Sequence, residues 1–207
     1  MCIRDSAGRV RIGTPDDYVS FFLPAILRRL SITHPQIEVE VRCNMSVDLM
    51  PAVDRGIIDM ALITRARGNE EGKAVRREPL VWAAADEDLA RRSPLPLALF
   101  SPGCRFREAI INRLEETHHA YRIAYESPSV ASISAAVCEG LAITALAQIS
   151  VVPPMKVIDD KLGLPSLPDI EIALYGPRGA PSPAALAVKA SVLSVLSSRV
   201  VPDRAAA

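Results

Sequence analysis

The chain has no surplus of charge of either sign, since 24 Lys and Arg balance 24 Asp and Glu in 207 residues. A domain that grips nucleic acid by its phosphates needs a basic surplus on one face, so this segment is not expected to hold DNA by itself. No run of roughly eighteen apolar residues occurs, and no membrane partner is expected. Met1–Ser6 lacks an apolar core and does not read as a secretory signal. It fits neither the strand that follows nor a cap for it, and reads as a scar of gene assembly on a truncated product. The cysteines, Cys2, Cys43, Cys104 and Cys138, are scattered and form no CxxC pair, so neither zinc nor redox chemistry is signalled. Reduced thiols in a cytoplasmic protein are the plain reading. GxSxG, HExxH, P-loop and dinucleotide glycine motifs are all missing, and no Ser/His/Asp set can be nominated. The chain therefore does not read as an enzyme, and no cofactor or metal is implied.

Hydrophobic residues make up 49% of the chain, enough for one large domain or two small lobes. Val10–Gly13 reads as a strand and Thr14–Asp17 as a polar turn. Val19, Phe22, Leu23, Ile26, Leu27 and Leu30 recur at helical spacing, and Ile37–Val41 alternates as a second strand. Asn44 and Ser46 are expected to cap a helix running to Val53, with Gly56 ending it. Ile57–Ile63 reads as a buried third strand closed by Thr64. The resulting β-α-β-α-β order implies a parallel sheet with right-handed crossovers. Residues 65–77 read as a polar loop, Pro79–Ala84 as a strand and Asp86–Arg91 as a short helix.

Strand, turn and helix then recur twice. Leu97–Phe100, Ser101–Cys104 and Arg105–Glu116 form the first set. Tyr121–Tyr125, Glu126–Ser129 and Val130–Glu139 form the second, with Gly140 as a left-handed helix end. Leu141–Thr144 reads as a strand. Val152–Pro154 and Leu164–Pro168 are proline-rich connectors, and Asp169–Tyr175 alternates as a strand. Ser182 and Pro183 start a last helix with Leu186, Leu193 and Leu196 as its buried stripe.

A strand feeding a polar turn at a helix start is how α/β folds build ligand sites. Candidate ligand residues are therefore Thr14, Pro15, Ser46 and Thr64, then Gly103, Cys104, Arg105, Ser127 and Ser129. Helix starts favour an anion, and neighbouring hydroxyls add hydrogen bonds that can be re-aimed. The plain alternative for Thr14, Ser46 and Ser129 is an N-cap. Asp16 and Asp17 also read as caps; as carboxylates they repel an anion and argue for an amine-bearing ligand. Cys104 sits beside Arg105 at a helix start, which favours a thiolate; its plain alternative is a small lining residue. Cys43 and Cys138 read as buried. His34, His118 and His119 read as solvated helix-end residues, Arg65, Arg67, Arg76 and Arg77 as a solvated loop, and Trp82 as packing at a lobe junction.

Several of these segments resemble the effector-binding domain of LysR-type transcriptional regulators. The resemblance is carried by Val10–Gly13, Phe22–Leu23–Pro24, His34–Val39, Gly56–Leu62, Glu78–Val81 and Gly140–Ile143, in that order, over about residues 8 to 200. Pro102–Arg107 and Ile123–Ser129 also resemble the branch that represses motility and virulence genes. The resemblance implies an α/β, type 2 periplasmic-binding-protein-like fold, each lobe a mostly parallel sheet flanked by helices. Lobe I would be 7–82 with 174–200 returning to it, lobe II 86–170, the crossover strands Leu80–Ala85 and Ile170–Tyr175, and 201–207 a frayed tail. It further implies a small-molecule effector in the interlobe cleft and a homodimer or higher oligomer pairing lobe I with lobe II of a partner. DNA would be reached only through an N-terminal winged helix-turn-helix missing from this chain. A transport-type solute-binding protein is the alternative with the same architecture.

Overall fold

The computed structural model describes residues 7–158, 162–177 and 179–197. The N-terminal hexapeptide and the frayed tail fall outside them, as does Cys2. Two compact units divide the chain: residues up to Arg76 with those from Glu171 onward, and Arg77–Ile170.

In the first unit β1 (Gly8–Thr14) lies parallel to both β2 (Ile37–Cys43) and β3 (Met60–Ala66). The five-stranded sheet runs β2-β1-β3-β10-β4, with β4 at Lys73–Glu78 and β10 at Ile170–Tyr175. The expected first helix is two helices, α1 (Asp16–Val19) and α2 (Leu23–Thr33). Pro24 is the reason. It has no N–H to donate backward and its ring would strike the carbonyl of Ser20, so the helix restarts with Pro24 in its first turn. Leu49 and Val53 of α3 (Ser46–Asp54) pack with Ile58, Ala61, Ile63 and Ala173 to form a core cluster. Ile58 lies in a turn rather than a strand, because β3 begins at Met60 and continues past Thr64.

α6 (Pro183–Ser197) packs on α2 and β1. Ser182 caps it as expected, accepting from the Ala185 N–H at 3.1 Å. Its buried stripe is Ala185, Val188, Val192 and Leu196, while Leu186 is 49% exposed. Reading leucines alone set the stripe out of phase, because small residues supply most of the contact.

The expected loop 65–77 contains strand β4. Its sequence is too charged to show the alternation of a half-buried strand, which suits its place at the sheet edge. Arg65 is also not solvated. Its guanidinium pairs with Glu171 at 2.9 Å and donates to the carbonyls of Glu71 and Gly72, so the turn into β4 is bolted to the sheet.

The second unit contains β5 (Leu80–Ala84), β6 (Leu95–Leu99), α4 (Arg105–Glu116), β7 (Tyr121–Glu126), α5 (Val130–Cys138), β8 (Thr144–Ala147) and β9 (Lys156–Val157). β6 and β7 are parallel, whereas β5 is antiparallel to β8 and β9, so this unit is mixed rather than mostly parallel. Leu97, Leu99, Phe106, Ile110, Ile133 and Val137 are fully or almost fully buried. Gly140 ends α5 as anticipated, at φ +67°, with its own N–H and that of Leu141 donating to Val137 and Ala136. Trp82 is buried, and its indole N–H donates to the Pro165 carbonyl at 2.8 Å.

Other corrections concern polar residues. His34 ends α2 but is 6% exposed. Its Nδ1 lies 2.9 Å from the Thr33 hydroxyl, which itself donates to the Arg29 carbonyl, so the His34 ring must supply the proton. Cys43 is exposed rather than buried, and Cys138 is half-buried. Of the paired histidines, His118 is exposed at φ +56°, while His119 is half-buried and donates from Nε2 to the Gly163 carbonyl.

Gly72 gives a direct check of the β3–β4 connection. Its φ is +68°, and a Cβ there would sit 2.8 Å from the Leu174 carbonyl oxygen, which is backbone and cannot swing away. Gly72→Ala is expected to destabilise the chain by about 2 kcal/mol or more. A denaturant melt measures it; an unchanged midpoint contradicts this placement of β4.

Candidate functional site

The parallel register brings the ends of β1, β2 and β3 to one edge of the first unit. Thr14 is opposite Cys43, and the Asn44 N–H donates to the Thr14 carbonyl at 3.3 Å. Such an edge, outside the carboxyl ends of parallel strands, is where open α/β sheets receive ligands. Thr14, Ser46 and Thr64 are brought together there, and all three are buried.

Their hydroxyls do not cap helices. Ser46 is the first residue of α3, behind Met45 at the N-cap, and its Oγ accepts from the Thr64 N–H of β3 at 2.9 Å. Thr64 Oγ1 in turn lies 2.6 Å from the Tyr18 hydroxyl, which is itself buried. Thr14 Oγ1 donates to the Pro15 carbonyl at 3.2 Å, and Pro15 occupies the N-cap of α1. The capping reading failed because a strand N–H competes for the Ser46 oxygen. Tyr18 is not among the residues expected from the sequence. Its helical phase beside Phe22 hid a phenol whose ring packs in the core while its hydroxyl joins a polar chain.

Asp17 keeps part of the capping role expected of it, through first-turn N–H groups, but it is enclosed rather than at the surface: it is 5% exposed, and its Oδ2 is buried with no hydrogen-bond partner. Burial pushes its carboxyl up to about 7, with Asp16 adding repulsion, against partial relief from the N–H groups of Asp17 and Tyr18.

In the second unit the pairing of Leu99 with Glu126 sets two loops side by side, and the Ser127 N–H donates to the Leu99 carbonyl at 3.2 Å. One loop carries Gly103, Cys104 and Arg105; the other carries Ser127 and Ser129. All five are half-exposed. Gly103 sits at φ +92°, Cys104 is the N-cap of α4, and Arg105 pairs with Glu108 at 3.0 Å across one turn. Ser129 is the N-cap of α5 without a side-chain cap bond, while Ser127 Oγ accepts the Ser129 N–H at 3.2 Å. Arg107 ties the loops together, donating to the Phe100 carbonyl and to Glu126, both at 2.7 Å. Cys104 alone gives no warrant for thiol chemistry. No cluster of three metal-ligating residues occurs among the described residues.

Residues 4–197 match the LysR substrate binding domain. The chain belongs to this family. It is 33% identical over 197 residues to the HTH-type transcriptional regulator DgdR of Burkholderia cepacia, covering 95% of this chain and 67% of that protein. It is 26% identical over 166 residues to PecT of Dickeya dadantii, another HTH-type regulator, covering 80% of this chain and 52% of PecT. The regulatory domain of CcmR from Synechocystis PCC6803, solved with 2-PG, superposes with a TM-score of 0.72 at 19% identity. That match covers 93% of this chain and 99% of CcmR's solved chain. The LysR-domain fold is thus the type 2 periplasmic-binding-like α/β fold anticipated from the sequence. The relatives are transcription regulators rather than transport proteins.

Asp17 sets the sign of a pH test. The folded carboxyl keeps its proton up to about pH 7, while an unfolded one ionises near its ordinary 3.8. The folded state therefore binds more protons, and stability falls as pH rises through that window. Asp17→Asn removes the dependence. Relative to wild type it should gain up to roughly 4 kcal/mol between pH 4 and pH 8, read from urea midpoints. Parallel stability curves for the two proteins contradict this. Separately, Ser46→Ala strands the Thr64 N–H and should cost about 1–3 kcal/mol, more than a lost cap.

Proposed function

We propose that this LysR substrate binding domain senses a small-molecule effector at the loops that follow its strands, and that the effector acts by biasing the domain between states. Thr14, Pro15, Ser46 and Thr64 serve in the first unit; Gly103, Cys104, Arg105, Ser127 and Ser129 serve in the second. The observation that carries this reading is the buried polar set at the carboxyl edge of a parallel sheet, in which the Ser46 hydroxyl accepts the Thr64 N–H and the Thr64 hydroxyl meets that of Tyr18. Buried hydroxyls placed there can exchange partners with a ligand at little cost in shape. The CcmR regulatory domain, solved in complex with 2-PG, supports a small organic effector of this kind.

DNA is reached through a helix-turn-helix segment of the sort named in the relatives, since the formal net charge here is +0. The protein works in the cytoplasm, as regulators of this kind do; no described helix is long and apolar enough to cross a membrane. Self-association is supported by exposed apolar residues, Leu27 and Ile32 on α2 and Ile123 and Tyr125 on the edge strand β7. The double change Ile32→Glu with Tyr125→Glu should yield monomers in sedimentation; an unchanged oligomer contradicts that interface.

The sensing role is tested by a thermal-shift screen against organic acids, amino acids and sugar phosphates. A true effector at a hundredfold its Kd should stabilise by about 2.7 kcal/mol, or roughly 5–10 °C for a domain of this size. The shift should vanish in Tyr18→Phe combined with Ser127→Ala. An effector that stabilises this variant equally well contradicts the site.

A further inference from the structure

Three features outside the polar chain invite explanation. The arginines Arg9, Arg11 and Arg42 line an open groove with Glu40, but each is already ion-paired, Arg9 and Arg42 to Glu40 and Arg11 to Asp59, and nothing there points to a ligand. The buried Nε2 of His34 has no hydrogen-bond partner and lies at the far end of α2 from the strand-end residues. Asp17 is different in kind.

A carboxyl removed from water needs a partner of opposite sign or a full set of donors, because burial otherwise costs several kcal/mol. No ion pair reaches Asp17 among the described residues. Its Oδ2 accepts nothing, although the residue lies three positions after Thr14 and immediately before Tyr18. The Tyr18 N–H returns to the Pro15 carbonyl at 3.1 Å, so the segment is a tight turn with the Tyr18 hydroxyl fixed on Thr64. Asp17 thus sits on the short helix α1 that leaves the carboxyl end of β1, in the same turn as Thr14 and Tyr18. Native structures rarely leave a buried polar oxygen unused, and strongly perturbed carboxyls concentrate at functional sites.

We propose that Asp17 is the receptor for a protonated amine, so that the effector is a small amine-bearing molecule held by an ammonium–carboxylate bond at Oδ2 and by the neighbouring hydroxyls. This rests on the sensing role proposed above and adds the chemical class of the ligand. A charge-assisted bond in a buried setting gives strong discrimination against the same molecule without the amine.

The test uses the whole chain and isothermal titration with a panel of proteinogenic amino acids and short diamines. Each amino acid is paired with the carboxylic acid that has hydrogen in place of the amine. At least one amine should bind, its amine-free counterpart should bind tenfold or more weakly, and Asp17→Asn should lose tenfold or more for the amine alone. Asp17→Asn keeps the size of the side chain and removes its titration, and its urea midpoint checks that it folds; Asp17→Glu serves as a second variant and should retain part of the affinity. Equal binding of the amine-free counterpart, or unchanged affinity in Asp17→Asn, overturns the proposal. Stabilisation only by amine-free compounds from the thermal screen overturns it while leaving the sensing role intact. If nothing in either experiment binds, both fall.

Discussion

The hydrogen bond from the Thr64 N–H to Ser46 Oγ, 2.9 Å long, joins a strand to the helix that precedes it in the chain. It is possible only because β1 pairs in parallel with β2 on one side and β3 on the other, which brings the three strand ends level. From it follow the burial of Ser46, the placement of Thr64 and the capture of the Tyr18 hydroxyl. Tyr18 in turn holds the short helix α1 down, and with it Asp17. The strand-end network is a consequence of sheet register more than of helix capping.

That network is costly in isolation. Buried hydroxyls contribute little net stability when satisfied, and a buried carboxyl destabilises. The surrounding apolar core compensates: Leu49, Val53, Ile58 and Ile63 are nearly inaccessible on the α3 side of β3. The unit thus places its least favourable groups at the strand ends, against its best-packed elements. Such a trade is expected where a fold is used to bind. In the second unit Arg107 plays the positioning part, holding two loops through the Phe100 carbonyl and Glu126 while their serines stay half-exposed.

Much of this was legible in the sequence, for identifiable reasons. Strands such as Ile37–Cys43 and helices such as Arg105–Glu116 announce themselves by period, and Gly140 by its place after an apolar helix. The β4 strand was invisible because an edge strand can be fully charged. Pro24 was visible, but the consequence, two helices in place of one, depends on where the ring falls in the turn. The positions of Thr14, Ser46 and Thr64 at strand ends were readable; their partners were not, because Ser46 bonds to a residue 18 positions away. Tyr18 and the burial of Asp17 could not be read at all, since local pattern does not report which polar side chain tertiary packing will enclose.

The fold persists at low identity, as the TM-score of 0.72 at 19% identity to the CcmR regulatory domain shows. The most direct test of the account is an amide shift map of the isotope-labelled chain, titrated with whichever compound stabilises it most. Changes concentrated at Thr14–Tyr18, Ser46 and Thr64, with a second group at Ser127–Val130, are the predicted result. Those amides staying still while others, such as the Arg9–Arg11 segment, respond would contradict it.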